Sequence, residues 1–90
     1  MNKLQKDGRK YLKIAQGNLE AALQMLDDDR YCIDISNQIL ATVALLKKAN
    51  TNIIKSHMEH CVMDAFNSDD AELKKEKIDE VELLLKKVMS

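Results

Sequence analysis

The segment from Tyr31 to Phe66, YCIDISNQILATVALLKKANTNIIKSHMEHCVMDAF, decides the fold. It contains neither glycine nor proline, and its apolar stripe recurs at three- and four-residue steps, which predicts one continuous helix. A helix of about 36 residues measures roughly 54 Å. The positions that form the stripe are Ile35, Ile39, Val43, Leu46, Ala49, Ile53, His57 and Cys61.

Two shorter helices are predicted on either side of this segment. Apolar residues recur with helical period from Lys3 to Leu26 and again from Asp70 to Val88. The connecting sequences are DDDR at Asp27–Arg30 and a segment in which Ser68 or Asp69 can cap the third helix. With no proline and two glycines in the whole chain, we expect an all-α, three-helix protomer that forms a single domain over all 90 residues.

The length of the central helix predicts association with another chain. A compact domain of this size is about 30 Å across, so the helix extends beyond its own domain. Its apolar stripe continues along nearly the whole length and requires a partner, most commonly an identical subunit related by a two-fold axis. A homodimer is therefore the expected minimum. The alternative is a break at Asn50–Asn52, where helix propensity is lower, which would give a monomeric four-helix bundle.

Three residues of the apolar stripe are candidate metal ligands. His57 and Cys61 are four residues apart and lie on one helical face, close enough to bind one ion. Cys32 lies on the same face to within about 20°, but roughly 38 Å away from His57 along the axis. Suppose that two helices pair antiparallel about an axis near Leu45 and Leu46. Cys32 of one chain then lies opposite His57 and Cys61 of the other, which predicts a site at each end of an antiparallel dimer.

The chemistry of these ligands indicates the metal. Two thiolates and one imidazole form a soft, three-coordinate set that suits Cu(I) better than hard cations. Zinc would usually require a fourth ligand, and His60 points about 100° away from Cys61. One alternative is that both cysteines are small core residues and His57 an interfacial histidine. Another is a thiol switch that joins Cys32 and Cys61 of adjacent chains through a disulfide or sulfur bridge.

The charge of the chain is unevenly distributed. The net charge is −1, but residues 1–13 contain five basic side chains against one acidic side chain. Repeated over several subunits, such a patch can bind phosphates with strongly salt-dependent affinity. The candidate residues are Lys3, Lys6, Arg9, Lys10, Lys13, Lys47, Lys48 and Lys55.

The sequence also argues against several classes of protein. No apolar run approaches the roughly 20 residues of a membrane helix, and no signal peptide precedes the first charges, so a cytoplasmic protein without membrane contact is expected. In the cytosol, two cysteines are more typical of ligands or a reactive thiol than of a disulfide. No nucleophile has a partnered base and no glycine-rich phosphate loop is present, which argues against an enzyme and against a small organic substrate. A helical interaction protein that does not bind DNA is a further alternative.

The motifs YCIDISNQI, Tyr31–Ile39, and SHMEHCV, Ser56–Val62, resemble the copper-sensitive operon repressor family, whose other members sense nickel, cobalt, formaldehyde or sulfane sulfur. The resemblance extends from about Arg9 to Val81. It implies a three-helix protomer whose antiparallel dimers assemble as a dimer of dimers, a homotetramer. It further implies a repressor that binds operator DNA without metal and releases it when metal binds.

The resemblance also implies roles for individual residues. The family's copper ligands map onto Cys32 of one protomer with His57 and Cys61 of its neighbour. The tyrosine that hydrogen-bonds around the site maps onto Tyr31, and the corresponding glutamate onto Glu76, with Glu80 as the alternative if the preceding loop is not shortened.

Differences within the family indicate the branch. Nickel and cobalt sensors tend to carry histidine near the N-terminus and in place of the last cysteine, and sulfur sensors usually lose the histidine. This chain has Cys61 and His57 at those two positions, which favours copper. Tyr11, Gln16 and Thr51 stand where many members carry basic residues, a departure that concerns DNA binding.

Overall fold

A computed structural model describes residues 1–67 and 69–89, without the side chains at positions 62, 65, 66, 88 and 89. It contains three helices, α1 at Lys3–Asp27, α2 at Cys32–Phe66 and α3 at Ala71–Met89, and no strand in the part described. The all-α, three-helix protomer with one long central helix is thus confirmed, with each helix end within one residue of its predicted position. Because α2 continues through Asn50–Asn52, the four-helix alternative is wrong.

Helix α1 begins at a capping box. The side chain of Asn2 accepts a hydrogen bond from the backbone N–H of Gln5 at 2.8 Å, and the Gln5 side chain accepts one from the backbone N–H of Asn2 at 3.0 Å. Two backbone donors that the helix itself leaves unpaired are therefore satisfied.

A tight turn joins α1 to α2. Asp29 has a φ of 53°, a left-handed conformation that aspartate tolerates better than most residues. The backbone N–H of Arg30 donates to the carbonyl of Met25 at 2.9 Å, which closes the end of α1. The aspartates of the DDDR segment therefore form the predicted turn.

The N-terminal cap of α3 differs from the prediction. The side chain of Asp70 accepts hydrogen bonds from the backbone N–H groups of Glu72 at 3.0 Å and Leu73 at 3.3 Å. Asp70 is therefore the cap, not Asp69, because α3 begins one residue later than expected. Ser68, the other predicted cap, lies outside the described residues.

Helices α1 and α2 form an antiparallel hairpin along a seam that repeats every seventh residue. We call this the helix seam. A seven-residue spacing keeps the contact on one side of each helix, and mostly small side chains let the two backbones approach closely. The buried seam residues are Gly8, Ala15 and Ala22 on α1 and Ile35, Thr42, Ala49 and Ser56 on α2.

The closest approach within the helix seam is at Gly8. A Cβ at this position would lie 3.2 Å from Cδ1 of Ile53 and 3.4 Å from the carbonyl oxygen of Ala49. Only a residue without a side chain leaves this contact unstrained. Ala49 is 1% exposed, so the hairpin is tightly packed at this level.

Most of the large apolar side chains lie outside the helix seam. The predicted stripe of α2 is only partly buried, because its larger members are 39–47% exposed. These members are Ile39, Val43, Leu46 and Ile53, and on α1 the exposed apolar residues include Leu12, Leu19, Leu23 and Leu26. The intrachain contact therefore uses the small residues and leaves a band of leucine, isoleucine and valine uncovered.

The protomer is long and thin. It measures 60 × 26 × 12 Å with a radius of gyration of 17.9 Å, against about 12 Å for a compact chain of this length. Helix α3 packs on the C-terminal part of α2, and α1 and α3 do not pack on each other within the described residues. At about 1.5 Å per residue, the 35-residue α2 runs along most of the 60 Å length of the protomer. The protomer is thus elongated with its central helix, and not the compact domain of about 30 Å that was expected from its length.

Candidate metal centre

His57 and Cys61 lie side by side on α2, as their spacing predicts. The Nδ1 atom of His57 is 3.5 Å from Sγ of Cys61. The thiol is half-buried and forms no disulfide. This separation is compatible with one metal ion bound by both atoms, because typical metal–nitrogen and metal–sulfur bonds are about 2.0–2.3 Å long.

Helix α3 supplies the second contact of the imidazole. The Nε2 atom of His57 lies 2.6 Å from Oε1 of Glu80. The hydrogen bond with His57 is the largest of the effects that lower the pKa of Glu80, followed by the hydrogen bond from Lys77, while desolvation opposes them. An ionised carboxylate only accepts hydrogen bonds, so Nε2–H of His57 is the donor, and Nδ1, the nitrogen that faces the sulfur, is the one available to bind a metal.

Lys77 is hydrogen-bonded to Glu80 in turn. We call the connected side chains of His57, Glu80 and Lys77 the polar chain. The Nζ atom of Lys77 lies 3.3 Å from Oε2 of Glu80. The hydrogen bond and the negative charge of Glu80 raise the pKa of Lys77, and the charge of Cys61 acts in the same direction. The lysine therefore adds positive charge next to a pair of residues that becomes more negative when the thiol is deprotonated.

The carboxylate that contacts the histidine is Glu80, and the structure favours it over Glu76. Glu76 lies one turn earlier on α3 and is exposed. Its assignment assumed a loop one residue shorter after Phe66, whereas the observed hydrogen bond to His57 comes from Glu80. Tyr31, the predicted aromatic partner, is 68% exposed at the start of α2 and far along the helix from His57.

Cys32 does not join His57 and Cys61, the other two predicted ligands, within the chain. It is an exposed, free thiol in the first turn of α2, at the opposite end of a 35-residue helix from Cys61. No group of three histidine, cysteine, aspartate or glutamate residues that could bind a metal occurs within the described part of one chain. A closed three-ligand site therefore requires a residue from a second chain.

The hairpin has an apolar face. At about 100° per residue, Leu46 and His57 lie on the same side of the helix seam, and so does Cys32. An open groove on this side, of about 370 Å³, is lined by Leu12, Leu19 and Leu46. We call this side, with its uncovered aliphatic band, the thiol face.

The other face of the hairpin is polar and basic. Tyr11, Lys47, Lys48 and Thr51 line a second groove there, and the ammonium of Lys48 lies 5.8 Å from the centroid of the Tyr11 ring. This geometry is a cation–π contact at a surface site. We call this side the basic face.

The predicted DNA-binding residues are divided between these surfaces. All eight, Lys3, Lys6, Arg9, Lys10, Lys13, Lys47, Lys48 and Lys55, are exposed. Lys47 and Lys48 lie on the basic face, whereas Arg9 and Lys13 border the groove of the thiol face. The structure therefore does not bring the whole set together as one patch within a single chain.

Two features of the site were not predicted from the sequence. One is Lys77, three residues before Glu80 on α3, a spacing that places the two side chains next to each other. The other is a polar cluster in which Asn2 contacts Ser56 and His60 next to the two ligands on α2. The N-x-x-Q pattern at Asn2–Gln5 indicates a cap, but not its contact with a residue 54 positions away.

No helix in the described residues has the length and apolar character needed to span a membrane.

Comparison with known proteins identifies the family. The profile of the metal-sensitive transcriptional repressor family matches residues 5–87. The copper-sensing transcriptional repressor CsoR of Bacillus subtilis is 39% identical over 61 residues, which are 68% of this chain and 60% of that protein. The copper-sensing transcriptional repressor RicR of Mycobacterium tuberculosis is 36% identical over 62 residues, 68% of this chain and 65% of that protein.

The chain thus spans less than two thirds of the length of either relative, and no solved structure matches it. The family match covers nearly the whole chain and includes all three helices. It confirms the resemblance seen in the sequence motifs. The chain belongs to the metal-sensitive transcriptional repressor family.

Proposed function

We propose that this protein is a cytoplasmic, Cu(I)-sensing transcriptional repressor that binds operator DNA without metal and releases it when Cu(I) is bound between subunits. The observation that carries the proposal is the orientation of His57. Its Nδ1 atom faces Sγ of Cys61 at 3.5 Å while its Nε2 atom is hydrogen-bonded to Glu80. The copper-sensing relatives support the choice of metal.

The proposed ligands are Cys32 of one protomer with His57 and Cys61 of its neighbour. Two thiolates and an imidazole suit Cu(I) because they are soft ligands and few in number. Glu80 would hold the imidazole ring in position and make its nitrogen a better donor to the metal. Bound Cu(I) would supply a bridge between two helices that otherwise meet only through side chains.

The proposed assembly is an antiparallel homodimer formed through the thiol face, two of which make a homotetramer. The uncovered aliphatic band supports this, because apolar surface on this scale usually marks an interaction site. The complete chain then acts as a single domain, with one site at each end of the dimer. The residues that fix the metal thereby also fix how the two long helices lie against each other.

The link to DNA lies in the arrangement of basic side chains over the assembly. The candidates for phosphate contact are Lys3, Lys6, Arg9, Lys10, Lys13, Lys47, Lys48 and Lys55, repeated in each subunit. A hundredfold loss of affinity for DNA requires about 2.7 kcal/mol of coupling, or roughly 0.7 kcal/mol for each of four sites. A small change in the spacing of the basic faces is sufficient for an effect of this size.

The test is complementation between two inactive variants. One is Cys32→Ala, and the other combines His57→Ala with Cys61→Ala. A mixed dimer of these chains retains one complete site, made from Cys32 of the double variant and the other two ligands of the single variant. We expect neither variant alone to bind Cu(I) with wild-type affinity, and the unfolded and refolded mixture to recover tight binding.

Release of DNA is measured on the same samples by fluorescence anisotropy. The probe is the DNA that lies upstream of the gene encoding this protein. His57→Ala alone serves as the test of switching. If that variant releases DNA at the wild-type Cu(I) concentration and to the same extent, the histidine has no part in sensing. If the mixed dimers do not recover tight Cu(I) binding, the proposed site between subunits is ruled out.

A thiol switch is the second candidate function, because both cysteines are free and Cys32 is exposed. In that case peroxide, which is reduced to water, would oxidise Cys32 and Cys61 of adjacent chains to a disulfide, or a polysulfide would transfer a sulfane sulfur atom between the two thiols and be reduced to sulfide. Either bridge would release DNA without copper. Mass spectrometry of the treated protein distinguishes the two, since a covalent bridge adds or removes a defined mass and Cu(I) binding does not alter the chain.

A further inference from the structure

The side chain of Asn2 makes hydrogen bonds at both of its ends. Its oxygen caps α1 by accepting from the backbone N–H of Gln5 at 2.8 Å. Its amide nitrogen donates to Oγ of Ser56 at 2.6 Å and to Nε2 of His60 at 3.0 Å. An amide nitrogen carries two protons, so every hydrogen-bonding group of this side chain except one oxygen lone pair is used.

The Asn2 contacts lie next to the proposed copper ligands. Ser56 immediately precedes His57, and His60 immediately precedes Cys61, so Asn2 bridges the same turn of α2 that presents the two ligands. Ser56 is 2% exposed and forms the last contact of the helix seam. The hydrogen bond to Ser56 is therefore part of a packed interface, whereas the one to His60 lies at its exposed edge.

The same bridge fixes the start of α1. Within the described residues, Asn2 makes the only side-chain hydrogen bonds between α2 and the beginning of α1, ahead of the contact at Gly8. Lys3 and Lys6 lie in this stretch, and both are exposed. The position of these two lysines thus depends on an asparagine that is held by the ligand-bearing turn.

We propose that Asn2 is a positioning residue that transmits a rearrangement of the His57–Cys61 turn to the basic N-terminal turns of α1. This inference depends on the proposed Cu(I)-sensing function. Closure of the site around an ion changes the relative positions of His57 and Cys61. Ser56 and His60 move with the turn they belong to, and the Asn2 amide, hydrogen-bonded to both, carries the start of α1 with them.

The test separates the bridge from the cap. Asn2→Ser retains a good N-cap but is too short to reach Ser56 and His60. Ser56→Ala removes the closer of the two acceptors on α2 and leaves the cap intact. Gln5→Ala is the matched control, because it removes the other half of the capping box and leaves the bridge in place. Circular dichroism verifies that all three variants keep wild-type helix content.

The primary measurement is the ratio of DNA affinities without and with Cu(I). We expect Asn2→Ser and Ser56→Ala each to reduce this ratio by about fivefold, with Cu(I) affinity within about twofold of wild type. Gln5→Ala should leave the ratio unchanged. A merely structural role for Asn2 would instead reduce DNA affinity equally in both states and leave their ratio unaltered.

Hydrogen exchange gives a readout without DNA. In the wild type, Cu(I) should change the exchange of amides 5–8, and this response should disappear in Asn2→Ser and Ser56→Ala. The inference is overturned if both variants respond to Cu(I) as the wild type does, in exchange and in DNA affinity. A wild-type protein that does not bind Cu(I) would overturn the proposed function itself, and that result is visible before any variant is made.

Discussion

Helix α2 makes two contacts of opposite character. Along its N-terminal and central part it meets α1 through the helix seam, where small side chains recur every seventh residue and the backbones nearly touch. Near its C-terminal end it meets α3 through the polar chain of His57, Glu80 and Lys77. The helix seam specifies one geometry, whereas the polar chain leaves an imidazole nitrogen directed at a thiol.

The contrast explains how a small protein can be both fixed and responsive. Packing between close backbones tolerates little change, so the hairpin behaves as one body. Hydrogen bonds between partly exposed groups can be rearranged at low cost because water competes for them. The part for which we propose Cu(I) binding is therefore held by polar contacts, and the part that keeps the shape of the hairpin is packed mostly through small residues.

The largest expected effect is at the centre of the helix seam. Ala49→Leu adds three carbons at a 1% exposed position opposite Gly8, and overpacking of this kind should reduce the free energy of unfolding by about 1–3 kcal/mol. Urea denaturation measures the loss. Ala44→Leu, at an exposed position of the same helix, is the control, and an equal effect of both substitutions would contradict the description of the seam.

A change in the polar chain should leave the fold intact and affect metal binding. Glu80→Gln removes the carboxylate that accepts from His57, and loss of such a partner typically weakens metal affinity by about 10–100-fold. Competition with a Cu(I) chelator measures the Cu(I) affinity of the variant. The matched control is Glu76→Gln, one turn away on α3. If the control weakens binding more than Glu80→Gln does, the carboxylate that supports the site is Glu76.

The two glycines of α1 lie in different surroundings: Gly8 is in the helix seam, and Gly17 is on the surface. A Cβ at Gly17 would have no other atom within 4 Å, so Gly17→Ala should raise the free energy of unfolding by about 1 kcal/mol through helix propensity. Gly8→Ala should raise the free energy of unfolding by less, because Cδ1 of Ile53 has to move to make room for the new Cβ. Thermal denaturation at one protein concentration compares them. An equal gain at both positions would show that the hairpin is looser than the structure indicates.

The smallest effect is expected at the end of the polar chain. Lys77 is half-buried and pairs at 3.3 Å with Glu80, whose side chain is 41% exposed, so Lys77→Gln should change Cu(I) affinity by about twofold. The change should become smaller at high salt, where the charge is screened. Lys75→Gln, on the outer side of α3, is the control. An effect as large as that of Glu80→Gln would mean that the positive charge, and not the hydrogen bond to His57, is the main support of the site.

The sequence predicts the local parts of this structure well. Helical period and the absence of glycine and proline place α2 correctly, and the four-residue spacing brings His57 next to Cys61 because helix geometry alone determines it. The choice between Glu76 and Glu80 could not be made in this way. The two carboxylates lie one turn apart on the same face of α3, so the choice depends on how far along α2 the chain after Phe66 places α3.

Contacts between distant segments were the least predictable. The bridge from Asn2 to Ser56 requires the exact register of α1 against α2, and that register is set by the small residues of the helix seam. The sequence analysis weighted leucine and isoleucine as the core. In the structure most of the large side chains are exposed, with Ile35 as a buried exception, because two helices that meet mainly through small residues turn most of their bulkier residues outward.

The 12 Å thickness of the protomer is close to the diameter of a single helix with its side chains, about 10–12 Å. A layer one helix deep has no interior in which large apolar groups can be removed from water. The proposed dimer would supply the missing cover, so its formation would be coupled to folding, and the midpoint of thermal unfolding should rise with protein concentration. Dilution alone would then weaken the protein as effectively as a destabilising substitution.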